Sequence, residues 1–103
     1  MLRILADAEA EIDSARQYLN ERSPGFGGRF LDELAESFDA IASRPLSFAK
    51  LETLPPDQPY RRALLATFRY AVVFEVLESE TIVVAVAHAS REPNYWLGRQ
   101  PAS

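Results

Sequence analysis

Two apolar runs separated by three polar residues constrain the fold more than any other feature of the chain. Tyr70-Ala-Val-Val-Phe-Glu-Val-Leu77 and Thr81-Ile-Val-Val-Ala-Val-Ala-His88 are built mostly of β-branched, aromatic and small apolar residues. A pleated, half-buried surface favours such residues. The spacer Glu78-Ser-Glu80 is too short for anything but a hairpin. Arg61-Arg-Ala-Leu-Leu-Ala-Thr67 precedes the pair as a third β-segment. Just past the last strand, His88-Ala-Ser-Arg-Glu-Pro-Asn-Tyr-Trp96 gathers a histidine, an arginine, a tyrosine and a tryptophan. Any chemistry is expected there.

The region before the sheet reads as helical. Leu2-Arg-Ile-Leu5 alternates and predicts a short first strand. Ala8, Ile12, Ala15 and Leu19 then recur at helical spacing, with Asp7 as the expected cap and Glu9 and Glu11 near the positive helix end. Phe26, Phe30, Leu34, Phe38 and Ile41 form the apolar stripe of a second helix. Ser23 is its expected cap and Pro24 its first residue, while Gly25, Gly27 and Gly28 weaken the first turn so that the helix settles near Arg29. Arg44-Pro45 stops it, and Pro45, Pro55, Pro56 and Pro59 make residues 44–60 a loop. The fold class expected is α+β, with an N-terminal helix hairpin packed on one face of a small, mainly antiparallel sheet, in a single domain over 1–103.

Along the second β-segment Tyr70, Val72, Phe74 and Val76 share the face expected to meet the helices. Ala71, Val73, Glu75 and Leu77 share the more open one, since Glu75 resists burial. Strict alternation along the third would set Ile82, Val84, Val86 and His88 against Thr81, Val83, Ala85 and Ala87. The open face is then a shallow apolar surface, available to a partner or to the chain's own tail.

Composition narrows function mostly by exclusion. A chain of 103 residues supports one modest core. No window approaches the roughly 20 apolar residues that span a bilayer, and Met1–Asp7 lacks the pattern of a signal peptide, so neither membrane association nor export is expected. The absence of cysteine excludes disulfides and thiolate chemistry and fits a cytoplasmic location. One histidine and no cysteine argue against a transition-metal site, and the glycines at 25, 27 and 28 make no phosphate loop, so neither a metal nor another cofactor is expected. Net charge is -4, but residues 1–43 hold nine acidic and four basic side chains and residues 44–103 hold six and seven. A general nucleic-acid binder would carry a stronger basic field.

Several pieces in order resemble the RelE/ParE superfamily of bacterial type II toxin–antitoxin toxins, often labelled plasmid-stabilisation proteins. They are Ala8-Glu-Ala-Glu-Ile12, Ser23-Pro-Gly25, Arg29-Phe-Leu31, Pro45, Arg61, Phe68-Arg-Tyr-Ala-Val-Val-Phe74, and the ending Ala87-His-Ala-Ser-Arg-Glu-Pro-Asn-Tyr-Trp96. Phe68-Arg69-Tyr70 departs from the family's common Phe-Pro-Tyr and adds a positive charge near the expected site. The resemblance implies a growth-inhibiting toxin neutralised by a cognate antitoxin, alone as a homodimer or joined in a heterotetramer. RelE-like members cut messenger RNA on the ribosome; ParE-like members share the fold and poison DNA gyrase.

A metal-free ribonuclease needs an acid, a base and cations for the developing phosphorane charge. His88 is the candidate acid or base, Tyr95 a proton donor, and Arg61, Arg69 and Arg91 the phosphate holders; Glu75 is a second base if it shares the face of His88. Against that set stand structural roles. His88 can bond to backbone or tail, Arg91 can pair with Glu75 or Glu92, and Tyr95 and Trp96 can clasp the tail onto the domain. The acidic run of the first helix reads as a solvated face. Three functions follow: a ParE-like contact poison of gyrase, a RelE-like ribosome-dependent nuclease, and a toxin fold that only binds its antitoxin. The acidic balance and apolar open face favour the first, with Arg69, Glu75 and Trp96 as binding residues. The acidic helices favour a basic, amphipathic antitoxin segment.

Overall fold

The computed structural model describes residues 1–99. A short strand β1 (Leu2–Ile4) leads into two helices, α1 (Ala6–Arg22) and α2 (Phe26–Ser43). A single 3-10 turn over Pro45–Ser47 opens the proline-rich loop, and three strands follow: β2 (Tyr60–Leu64), β3 (Tyr70–Val76) and β4 (Thr81–His88). The sheet order is β1-β4-β3-β2. β1 runs parallel to β4, and the other two pairs are antiparallel. The helix hairpin on a mainly antiparallel sheet is the architecture expected.

The hairpin packs on the aromatic face. Phe30, Leu34 and Ile41 of α2 and Ala8 and Ala15 of α1 meet Val72, Phe74, Val83 and Val86 in the main core. The Phe30 ring touches those of Phe68 at 5.8 Å and Tyr70 at 5.2 Å, in edge-on and tilted geometries that aromatic pairs favour. A smaller cluster of Leu5, Val73, Ile82, Val84, Ala85 and Trp96 forms on the opposite face.

Strict alternation fails in β4. Val73 pairs with Ala85 and Phe74 with Val83, so Val84 is an extra residue without a partner. Ile82, Val84 and Ala85 therefore share the second cluster, while Val83 and Val86 join the main core. A β-bulge sets two residues against one and reverses the inside–outside phase beyond it. No glycine marks the position, which is why alternation alone misses it.

The helix junction also differs from the expectation. Ser23 closes α1, its N–H bonded to the Leu19 carbonyl at 3.0 Å, and α2 begins at Phe26 with Gly25 as its N-cap at φ 92. Asn20 does the work expected of Ser23, its Oδ1 accepting the N–H of Gly25 at 3.0 Å and of Gly27 at 3.4 Å. At the first helix Leu5 is the N-cap residue and Asp7 lies within the first turn. Gly27 is buried where the helices approach: a Cβ there would lie 2.9 Å from the Arg16 carbonyl oxygen and 3.1 Å from Asn20 Cβ. The backbone oxygen cannot swing aside, so close helix packing requires this glycine.

Gly27→Ala is therefore expected to destabilise the fold by about 1–3 kcal/mol, the usual cost of overpacking. Gly28→Ala, with nothing within 4 Å of the added methyl, should be neutral or stabilising by roughly 0.5–1 kcal/mol, because alanine suits a helix better. Thermal melts of the two variants check the contrast.

Candidate binding groove

β1 ends at Ile4, so β4 beyond Val83 has no strand on that side. The backbone groups it leaves unpaired on that edge are met by side chains from α1 and the tail. Glu11 Oε1 accepts the Val86 N–H at 3.0 Å, and Arg99 Nη1 donates to the Val84 carbonyl at 2.9 Å. Arg99 also donates to Glu11 through Nη1 at 2.9 Å and Nη2 at 3.2 Å, and the Tyr95 hydroxyl donates to Glu11 Oε2. Asp7 completes the cluster 3.8 Å from Arg99. Glu11 thus joins α1, β4 and the tail. Burial, with the hydrogen bond and charge of Glu11, pushes the Tyr95 phenol up to about 12, against the opposing pull of Arg99 and Arg91. The hydrogen bonds to Glu11 likewise hold the Arg99 guanidinium above its ordinary value.

This latch seats the tail on the sheet. Trp96 is buried, 4% exposed, and its ring lies 4.7 Å from that of Tyr60. Asn94 takes φ 64 and ties the tail to the proline-rich loop: Thr53 Oγ1 donates to its Oδ1 at 3.0 Å, and its Nδ2 donates to the Thr53 carbonyl at 3.4 Å. The rest of the open face forms a groove of about 530 Å³. Leu64, Ala71, Val73 and Ala87 supply its apolar surface, and Arg62, Arg69 and Arg91 its cations.

Each arginine is held differently. Arg62 stands on β2. Arg69 sits in the β2–β3 turn, where Glu33 of α2 accepts the Thr67 N–H at 2.8 Å. Burial raises the Glu33 pKa, but bonds from the Thr67 backbone and side chain and from the Phe68 and Ala66 amides outweigh it, leaving the carboxyl below its usual value. Arg91 stacks on the Tyr95 ring at 3.8 Å rather than pairing with Glu75 or Glu92.

Of the residues singled out in the sequence, Arg69, His88, Arg91, Tyr95 and Trp96 line this groove. Arg61 does not. It donates to the Phe48 carbonyl at 2.6 Å and stands opposite Phe74, on the helix side of the sheet. Glu75 pairs with Tyr60 and Ile82, five residues along β3 from Tyr70, the partner of His88. That offset spans roughly 17 Å of strand; its odd count leaves Glu75 on the open face and His88 on the side of Tyr70, so His88 borders the groove only at the end of its strand. The His88 ring rests against Tyr70 at 5.1 Å, and its Nδ1 accepts the Ser90 N–H at 3.1 Å and lies 2.8 Å from Ser90 Oγ. In the neutral ring the proton is then on Nε2. Among the described residues no group of three His, Asp or Glu side chains is placed to hold a metal.

Glu11, Arg99 and Glu33 escape a sequence reading. Glu11 lies in the run Asp7, Glu9, Glu11, Asp13, and only Glu11 turns inward, correcting the reading of that run as a uniformly solvated face. Its one sequence signal is its place one residue before Ile12 on the buried stripe.

A family model described as ParE toxin of type II toxin-antitoxin system, parDE, matches residues 2–93. Among solved structures, a chain titled Chromosomal ParDE TA system from P. aeruginosa aligns with a TM-score of 0.71, covering 84% of this chain and 92% of that chain at 15% identity. At that identity the likeness speaks for the fold alone. A search of curated proteins found no match.

Glu11→Gln should cost roughly 2–3 kcal/mol, because it weakens charge-assisted bonds to Arg99 and Tyr95. Trp96 is the sole tryptophan, so its emission should shift to the red as the tail loosens. On the alkaline side, the Tyr95 phenol is raised above its unfolded value, so its contribution is full below about pH 10 and is lost as pH rises through about 12. Phenolate absorbance in Tyr95→Phe should lack that late step. On the acid side Glu33 is lowered, so its contribution is present above its usual pKa and lost as pH falls through the folded value. Glu33→Gln should flatten the acid limb of a stability–pH curve.

Proposed function

The chain belongs to the ParE toxin family of type II toxin–antitoxin systems, and from that premise we propose that it poisons DNA gyrase by protein contact and is neutralised by a cognate antitoxin. The absence of Arg61 and Glu75 from the groove lining, with Tyr95 engaged by Glu11, carries this reading. Arg61 is spent on the Phe48 carbonyl, away from the groove. Tyr95 donates its proton to Glu11, with a pKa of about 12 that makes it a poor acid near neutrality. Glu75 stands on the other face from His88, and the ring nitrogen of His88 that accepts a proton is already met by Ser90. The groove presents chiefly an apolar surface with three arginines, beside His88 and Glu92. Such a surface suits protein contact, where buried apolar area and arginine anchors carry affinity.

A RelE-like nuclease is the second reading, and one observation favours it: His88, Arg69 and Arg91 line the same groove. Gyrase and the ribosome are both met in the cytoplasm, which is the location the proposal requires. Among the described residues no helix is long and apolar enough to cross a membrane.

Purified protein should block gyrase supercoiling and trap cleaved DNA, while leaving ribosome-bound message intact by primer extension. His88→Ala should keep the gyrase effect. Cleavage of message that His88→Ala abolishes would establish the nuclease reading instead. Inactivity of folded protein in both assays would reduce the function to antitoxin binding.

A further inference from the structure

We infer that Glu33 is a positioning residue for the groove: from α2 it holds the turn between β2 and β3, and so aims Arg69 into the groove and seats the first residues of the tail. The inference rests on the gyrase reading above and adds which residue sets the geometry of the contact surface.

The turn has no sheet partner for its own amides. β2 ends at Leu64 and β3 begins at Tyr70, and Leu65 N–H reaches the Tyr70 carbonyl at 3.0 Å. Ala66, Thr67 and Phe68 lie beyond that last rung. Backbone N–H groups need partners, and here one carboxylate serves all three. Glu33 accepts the Thr67 N–H at 2.8 Å, and the Ala66 and Phe68 amides and the Thr67 side chain converge on the same group. α2 also grips the turn at a second point. The buried Phe68 ring lies 5.9 Å from Phe26 and 5.8 Å from Phe30. Phe26, Phe30 and Glu33 follow at intervals of four and three residues, so they share one side of the helix. Both the side chain and the backbone of the turn are thereby fixed to α2.

Arg69 comes next, and its backbone is pinned in consequence. Tyr70 N–H bonds back to the Phe68 carbonyl at 2.8 Å, closing a three-residue turn around Arg69. The Arg69 carbonyl in turn accepts the Ala89 N–H at 2.8 Å, and Arg91 N–H bonds to the His88 carbonyl at 3.0 Å. One path of contacts thus runs from Glu33 through the turn to Ala89 and reaches Arg69 and Arg91, two of the groove's arginines. The exposed Arg69 guanidinium stays available to a partner: among the described residues no ion pair involves it, and the nearby Glu33 is engaged by amides instead.

The test is a double-mutant cycle read as the toxin concentration that halves gyrase supercoiling. Glu33→Ala and Arg69→Ala should each raise it roughly tenfold, and the double variant should be no weaker than Arg69→Ala alone, because one interaction cannot be lost twice. Glu33→Gln keeps an acceptor oxygen and should fall between Glu33→Ala and wild type. Ile41→Val loosens the core farther along α2 and should leave the potency of folded protein unchanged, with circular dichroism verifying the fold. Losses that add in the double variant overturn the positioning role and leave the gyrase reading standing. Full potency of folded Glu33→Ala does the same, as does a loss in Glu33→Ala that Arg69→Ala does not share. Amide hydrogen exchange supplies a readout independent of gyrase. In Glu33→Ala, exchange should quicken roughly tenfold at Thr67, Phe68 and Ala89, a selective pattern that Ile41→Val should not reproduce. Uniform quickening, or quickening at Thr67 and Phe68 without Ala89, overturns the positioning role. Folded wild-type toxin that leaves gyrase active overturns the gyrase reading, and the exchange pattern then decides whether Glu33 positions Arg69 and Ala89.

Discussion

β4 lies between β3 and β1, but β1 pairs with it only over Thr81–Val83. Backbone groups left on a buried strand edge must find partners or cost about 1–3 kcal/mol each. Here Glu11 and Arg99 provide them, and because those residues sit near opposite ends of the chain, closing the strand edge also fixes the tail. The consequences run outward from there. Tyr95 is held by Glu11, Arg91 is stacked on Tyr95, and Trp96 is pressed among Val73, Ile82 and Ala85. The groove inherits one end of its wall from this chain of contacts. The bulge at Val84 belongs to the same arrangement, since it lies at the carbonyl that Arg99 caps.

The charged residues divide by what they do. Glu11, Arg99, Glu33 and Arg61 are engaged internally, each bonded to backbone or to a partner distant in sequence. Asp32, Glu36 and Asp39 lie exposed on the outer side of α2, and Arg62, Arg69 and Arg91 lie around the groove. A net charge of -4 hides this polarity. Two faces of opposite sign on a small domain favour one docking orientation over another before any contact is made.

The parts of the fold that were legible in the sequence are those set by repetition. Val72, Phe74 and Val76 repeat every second residue, and Phe30, Leu34 and Ile41 recur on one helix face, so hairpin, sheet and core follow from pattern alone. Glu75 marked the open face for the same reason. What pattern could not give depends on single events. One unpaired residue at Val84 reverses the phase of a strand. One contact between Gly27 and the Arg16 carbonyl turns an apparently weak helix start into a packing site. Glu11 looks identical in type to Glu9 and Asp13, and only the free edge of a strand some seventy residues away separates its role from theirs. Arg61 and Arg62 are adjacent, yet strand alternation sends one to a loop carbonyl and the other to the groove. The sequence places arginines near a site without saying which of them reach it.

The match to the family model ends at Pro93, before Tyr95, Trp96 and Arg99. Arg99, which shares the strand edge with Glu11, and Tyr95 and Trp96, which wall one end of the groove, therefore lie in a segment to which the family match does not extend, while Glu11 and most of the groove lie within it. A proton donor in that segment would have to release its proton to act as an acid. Tyr95 instead directs it at a carboxylate that three other donors already hold in place, Val86 N–H and the two Arg99 nitrogens. An arrangement that binds a proton this firmly favours a fixed shape over proton transfer. A toxin that works by fitting a protein surface needs such a shape.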